Sequence, residues 1–270
     1  MTINNGATQI KTLSILGSGW LGLPLAEHFI TQGYQVHAST RSIARLPDLE
    51  RIKAEAFIVD IDNLGDISQF LQAELLIINI TCKNLNSFAQ LIKQIEQSTI
   101  KKILLVSSTS VYDNLNTVVT EDQGAELENS PLWQIEQMFR HNPYFATTVV
   151  RFSGLVGYSR HPGRFFRSGK VVDQPDAPVN LIHRDDCIGM ISAIIEQDVW
   201  GEVFNGCAAT HPSKREFYTH ARQLLNLPAP EFAQTSEPGY KIVSHAKVQQ
   251  VLHYQFIHSD LMSICFPDYP

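Results

Sequence analysis

Three observations place this chain in the α/β class, with a doubly wound parallel sheet. Short, nearly unbroken apolar runs alternate with amphipathic stretches up to about residue 155, the pattern of βαβ units whose strands are covered on both faces. The first run, Leu13-Ser14-Ile15-Leu16, passes straight into Gly17-x-Gly19-x-x-Gly22, and a helical apolar face follows at Leu21, Leu25, Ala26 and Phe29. The composition is 44% apolar and 18% charged over 270 residues. That is enough for one large core with a small appended lobe, and too apolar for disorder.

Each element has its own signal. Pro24 falls in the first turn of the helix after the glycines, where a missing N–H costs little. Residues 34–40 read as a second strand, 56–60 as a third, 75–80 as a fourth, 103–108 as a fifth and 147–152 as a sixth. Residues 88–95 carry helical spacing between the fourth and fifth. Residues 154–180 are rich in Gly, Pro and Arg without a period, and read as a loop-built lobe. Regularity returns at 179–183, where Asp185-Asp186 suit the start of a helix over 187–195. Residues 203–206 read as one more strand and turn. Ser213-x-x-Glu216 is a capping box opening a helix to about Leu225, and 226–270 shows little periodicity. The expected division is a nucleotide-binding domain of 11–155 with 179–207, and a small C-terminal substrate lobe of 156–178 with 208–270.

Bulk properties exclude several classes. A net charge of −6 opposes nucleic acid as the main partner, because phosphate neutralisation needs a basic surface. No stretch reaches the roughly 20 apolar residues of a membrane span. The opening residues lack the basic and apolar parts of a signal peptide. Cys82, Cys187, Cys207 and Cys265 are scattered without a CxxC pair, as in a reducing compartment. The expectation is a cytoplasmic protein.

The glycine turn has a specific chemistry. One glycine makes the tight turn, a second lets the backbone approach a dinucleotide pyrophosphate, and a third lets helix and strand pack closely. The helix N-terminus then offers amides and the positive end of its dipole. Gly17, Gly19 and Gly22 are expected to hold the pyrophosphate, with Ser18, Trp20 and Leu21 donating backbone N–H groups. The residue ending the second strand meets the adenosine ribose, where an acid favours NAD and a cation with hydroxyls favours the 2′-phosphate of NADP. This chain offers Thr40, Arg41 and Ser42 there. NADP is therefore expected ahead of NAD. Asp60 is expected beside the adenine, and Ile80 and Thr81 beside a ribose.

Several segments together resemble the short-chain dehydrogenase/reductase superfamily in its extended epimerase/dehydratase branch. Besides the glycine turn, Val106-Ser107-Ser108-Thr109-Ser110-Val111-Tyr112 resembles that branch's Ser-Ser-x-x-Val-Tyr signature. Leu181-Ile182-His183-Arg184-Asp185-Asp186 resembles its Phe-Ile-His-Val-Asp-Asp segment. Residues 201–206 with 212–217, and 241–252, are similar to later stretches in the right order. The resemblance implies a Rossmann domain with a trimmed substrate lobe, Ser107 among the cofactor-binding residues, and a homodimer through a helix pair.

The resemblance also implies a catalytic group: a serine on the fifth strand, then a tyrosine and, four residues on, a lysine. The lysine's charge would lower the phenol's pKa for proton transfer. Ser108 occupies the serine position. The tyrosine position is Trp133 and the lysine position Gln137, and neither an indole nor an amide titrates near neutrality. This departure is similar to the atypical YeeZ-like subgroup. Ser108 is then the candidate to orient a substrate, with Tyr112 or water supplying a proton.

Residues 158–170 gather Arg160, His161, Arg164, Arg167 and Lys170 on an acidic chain. Arg164 and Arg167 are expected to bind an anionic group of a small-molecule substrate, the alternative being a solvated surface loop. The ten histidines show no ligand spacing along the chain, and no metal is expected. Two functions follow: an NADP-dependent oxidoreductase or epimerase with a non-standard acid–base group, or a dinucleotide-responsive module without turnover.

Overall fold

The computed structural model describes residues 10–166, 170–234, 239–264 and 266. In chain order the strands begin with β1 (Thr12–Leu16), β2 (Gln35–Thr40), β3 (Glu55–Ile58), β4 (Leu75–Ile78), β5 (Lys102–Ser108) and β6 (Thr117–Val119). They continue with β7 (Ala146–Phe152), β8 (Gly154–Val156), β9 (Leu181–His183), β10 (Val203–Gly206) and β11 (Lys241–Val243). The helices are α1 (Gly22–Thr31), α2 (Leu46–Arg51), α3 (Leu85–Glu96), α4 (Pro131–Arg140), α5 (Arg184–Glu196), α6 (Lys214–Gln223) and α7 (Ala246–Leu252).

Seven strands form one sheet in the order β3-β2-β1-β4-β5-β7-β10. The pairs β1–β2, β1–β4, β2–β3, β4–β5 and β7–β10 run parallel, with Leu13 opposite Val36 on one side of β1 and Leu75 on the other. This is the Rossmann-type doubly wound order, which reverses direction between β1 and β4. Ligands of such sheets bind beyond the carboxyl ends of the strands at that reversal.

Backbone packing divides the chain into two compact units. One ends at Val106 and takes in Gln134–Thr148; the other comprises Ser107–Trp133 and the chain from Val149 onward. In the first unit, β1 and β4 are buried along nearly their whole length, as their unbroken apolar sequences require. Leu25, Ala26 and Phe29 of α1 and Phe88, Leu91, Ile92 and Ile95 of α3 supply buried helix faces. Helix α2 has no counterpart in the sequence reading. It is six residues long, opens on Leu46-Pro47, and buries one side chain, Leu49.

In the second unit, β6 pairs with β11 and β8 with β9 in two small parallel ladders. Val111, Tyr112, Val119, Ala125, Cys207 and Val243 form one apolar cluster, with Leu132 and Trp133 against it. Val156, Val179, Leu181, Ala208, Phe217, Leu261 and Ile264 form another. The expected loop-built stretch holds β8, a single helical turn at Pro162–Arg164 and isolated bridges. The expected capping box at Ser213 and Glu216 is present at the start of α6. The tail is more regular than expected, since it carries β11 and α7. These are three and seven residues long, too short to show a period.

Candidate functional site

At the carboxyl end of β1 the backbone turns through Gly17, whose φ of +98° lies in the left-handed region that favours glycine. A side chain there would also strike the Asn79 carbonyl and the Ile80 side chain. Gly22 opens α1 so close to the Gly17 carbonyl that a Cβ would overlap it. Gly19 is different. Its φ is not positive, and an added Cβ would meet nothing within 4 Å. Nothing in the chain's own packing asks for glycine at that position.

The loop is held from both flanking strands. The Gly17 amide donates to Ser39 Oγ at 3.1 Å and the Ser18 amide to the Ser39 carbonyl at 2.9 Å. Asn79, just beyond β4, donates its Nδ2 to the Gly17 carbonyl at 3.2 Å. Asn79, a polar residue directly after the apolar β4, carried a visible signal in the sequence; Ser39, inside the mixed sequence of β2, did not. Helix α1 starts at Leu21 with no side-chain cap and no acid in its first turn. Its Leu23 amide reaches back to the Gly19 carbonyl at 3.1 Å, so the amides ahead of Leu23 fall outside the helix's own ladder. Among the described residues, the buried Ser18 hydroxyl has no hydrogen-bond partner. Amides outside the helix ladder, an unused hydroxyl, the dipole's positive end and an open Cα suit an anion rich in acceptor oxygens. The residues present fit a dinucleotide pyrophosphate.

Thr40 is buried at the end of β2 and its Oγ1 accepts from the Ser42 amide at 3.2 Å, while Arg41 and Ser42 are exposed. Asp60 caps a short turn by accepting from the Asp62 amide at 3.3 Å. The exposed Asp62 carboxylate accepts from Ser87 Oγ at 2.6 Å, Cys82 Sγ at 3.4 Å and Asn84 Nδ2 at 3.5 Å. The Ser87 hydroxyl and the Cys82 thiol hold this carboxyl below its ordinary value, and the Arg41 charge contributes less. Arg41 therefore works in the field of an acid that the sequence reading did not name. Ile80 and Thr81 lie beyond β4, which stops at Ile78, half-buried and exposed respectively.

Ser107, Ser108 and Tyr112 lie in the second unit. Ser107 is buried. Ser108 is half-buried, and its Oγ accepts from the Ser110 amide at 3.1 Å, leaving its proton to donate. Tyr112 requires a correction. It is 1% exposed, and its hydroxyl donates to Asn205 Oδ1 at 2.8 Å and accepts from Arg151 Nη1 at 2.7 Å. Burial, partly offset by the Arg151 charge, pushes the phenol up to about 12. Arg151 is itself fully buried and bonds Glu126 at 2.6 Å. Tyr112 is a structural post in this network, not a proton donor.

Trp133 packs half-buried on the Val111 cluster. Gln137 is half-buried on α4, and its carbonyl accepts from the His141 amide at 3.1 Å. Arg164 is half-buried in the Pro162–Arg164 turn, which His161 opens by accepting from the Gly163 amide at 3.0 Å. Arg167 lies outside the described residues, as does Cys265. The histidines also need correction. Folding brings His258 beside Asp185, 73 residues away, and His183 joins them; no spacing along the chain could show this.

Fold and site define a dinucleotide-binding α/β protein, and comparisons with known proteins agree. Residues 17–159 match the NAD(P)H-binding family, and the chain belongs to that family. It is 30% identical to Protein YeeZ of Escherichia coli strain K12, over 93% of this chain and 97% of that protein. A functionally unknown conserved protein from Silicibacter pomeroyi DSS superposes with a TM-score of 0.80 at 18% identity, covering 93% of this chain and 95% of its own. UDP-glucuronic acid 4-epimerase from Bacillus cereus, solved with a UDP-sugar analogue and NAD, superposes at 0.76 with 17% identity over 93% and 95% of the two chains. Among the described residues no helix is long and apolar enough to cross a membrane.

Proposed function

We propose that the chain is an NADP-dependent oxidoreductase or epimerase acting on a small anionic substrate without the usual Tyr–Lys pair. The observation that supports the cofactor half is Gly19, whose Cα opens onto space beside the start of α1, where a Cβ would meet nothing within 4 Å. Gly17 and Gly22 shape the loop, and the amides of Trp20 and Leu21 with the Ser18 hydroxyl face the pyrophosphate, the Ser18 amide being held by the Ser39 carbonyl. Arg41, with Thr40 and Ser42, meets the 2′-phosphate. Asp60 takes the adenine, and Ile80, Thr81 and Ser107 line the ribose side. A bound nicotinamide supplies hydride transfer at its C4 position. Ser108 orients the substrate through its free O–H, and the proton comes from water, since Tyr112 is committed elsewhere. Arg164 and Arg167 take the substrate's anionic group, and the epimerase superposition makes UDP-sugars the first compounds to try.

The test has two stages. Calorimetry with the reduced and oxidised forms of both coenzymes should show saturable binding, tighter for the phosphorylated pair; equal affinities would remove the NADP preference. Absorbance at the nicotinamide band, with carbonyl compounds and UDP-sugars, should then show turnover. The second reading, a module that binds NADP without turnover, draws on Trp133 packed into an apolar cluster and on the uncharged Gln137. Binding with no turnover across the panel would select it.

A further inference from the structure

A second constellation lies where β9 meets α5, in residues the cofactor reading does not use. Asp185 Oδ1 accepts from the Tyr158 hydroxyl at 2.8 Å. Its other oxygen, Oδ2, lies 3.3 Å from His183 Nδ1 and 3.4 Å from His258 Nε2. A neutral imidazole can turn either an N–H or a lone pair toward such an oxygen, and at His183 Nδ1 a lone pair accepts from the Asp185 amide at 3.3 Å. We propose that His183, Asp185 and His258 form a binding site for a divalent transition-metal ion of the zinc class.

The distances suit the ion. Bonds of about 2.0–2.2 Å to nitrogen and oxygen in a tetrahedron set ligand atoms roughly 3.4 Å apart, and both histidine–aspartate separations match. The three ligand atoms lie within 4.8 Å of one another, so closing the widest pair needs only side-chain rotation. The frame is already fixed. Asp186, fully buried, accepts from the Ile257 amide at 2.6 Å, the His258 amide at 3.0 Å and the Tyr254 hydroxyl at 3.0 Å, which anchors the backbone at His258. His183 is buried, and a Cβ on Gly157 would strike its Nε2 edge, so the ring has little room to turn away. The Tyr158 hydroxyl orients the carboxylate as an outer partner, as metal ligands commonly require.

Two features oppose the ion and set its strength. The His183 Nδ1 lone pair also caps α5 by accepting from the Asp185 amide, but at 3.3 Å this bond lies beyond the ordinary range. Exchanging it for a metal bond costs little. The Arg184 guanidinium, stacked 3.5 Å from the Tyr158 ring centroid, repels a second cation. Three protein ligands leave a fourth position for water. The site is one of weak, exchangeable binding, and it ties the last turns of the chain to the start of α5.

The test uses the full chain, stripped with a chelator and titrated with Co2+ and then Zn2+. One equivalent of Co2+ should raise a visible tetrahedral band that Zn2+ displaces. Zn2+ at a hundredfold excess over its dissociation constant should raise Tm by about 5–10 °C. Both signals should be lost in His258→Gln and in Asp185→Asn, and kept in His211→Gln, which removes a histidine outside the cluster. Circular dichroism of the two site variants separates loss of ligand from loss of fold. The proposal is overturned if wild type gives no saturable cobalt band. It is equally overturned if folded His258→Gln keeps the band.

Discussion

Two helices in this protein begin in opposite ways. Helix α5 is capped by the His183 ring, and Asp185 and Asp186 stand in its first turn. The buried Asp186 then collects two amides and a tyrosine hydroxyl from the C-terminal segment. Helix α1 has no side-chain cap, no acid in its first turn, and a glycine beside it that opens onto empty space. The same dipole is present at both starts. At α5 the His183 ring takes the Asp185 amide and two acids stand in the first turn, and the result is structure. At α1 no side chain of the first turn plays that part, and the proposed function gives the place to a ligand.

The comparison breaks most sharply at Asp186. Asp186→Ala removes an acceptor from three donors in a buried setting, and each unsatisfied buried group costs on the order of 1–3 kcal/mol. A loss of about 3 kcal/mol is expected, read as a lower urea midpoint. Coenzyme affinity of the folded fraction should stay as in wild type. A midpoint within error of wild type would mean that the α5 start is not bound up in structure as described.

The mirror-image change is Gly19→Val. No atom lies within 4 Å of the new Cβ, so stability should move by no more than about 0.5 kcal/mol. Coenzyme affinity should fall on the order of 100-fold, because the pyrophosphate would meet a branched side chain. Unchanged binding with unchanged stability would detach the loop from the cofactor.

How much of this was legible in the sequence follows from the range of each signal. The seven-stranded sheet was readable because its central strands are local runs rich in apolar residues, and the glycine turn because its three glycines lie within six residues. Gly17 and Gly22 answer to close contacts and Gly19 does not, yet all three look alike in one dimension. Asn79 and Ser39 escaped notice because their task, holding the loop, depends on strand neighbours set by the sheet order. Tyr112 was misread for a similar reason. Its hydroxyl partners, Arg151 and Asn205, arrive from two other strands of the large sheet, and without them a phenol beside a serine resembles an acid. The cluster of His183, Asp185 and His258 was out of reach, since a segment 73 residues on supplies its third member.

The Tyr112 network sharpens the contrast through pH. Burial raises this phenol from 10 to about 12, so the folded chain holds its proton more tightly than the unfolded chain does. Its contribution to stability is full below pH 10 and fades as the pH climbs through 12. The difference in urea midpoint between wild type and Tyr112→Phe should therefore be constant from pH 7 to 9 and shrink above 10. A difference that grows with alkalinity would mean the phenolate, not the phenol, is the form the network holds.

The smallest effect concerns the far end of the cofactor site, where the ligand-facing region carries an acid of its own. Arg41 is exposed, and the Asp62 carboxylate shares its field. A 2′-phosphate approaching Arg41 gains a charge-assisted contact but also feels Asp62, so the net gain is modest. Arg41→Ala should weaken NADPH about tenfold, roughly 1.4 kcal/mol, and leave NADH within twofold. Asp62→Asn should act in the opposite sense, tightening NADPH and leaving NADH alone, with Ser87 still able to bond the amide oxygen. Both shifts should shrink with added salt, because exposed charges are screened. If Arg41→Ala weakens the two coenzymes equally, the guanidinium holds the loop and does not read the phosphate. The acid at position 62 would then act on the adenosine itself.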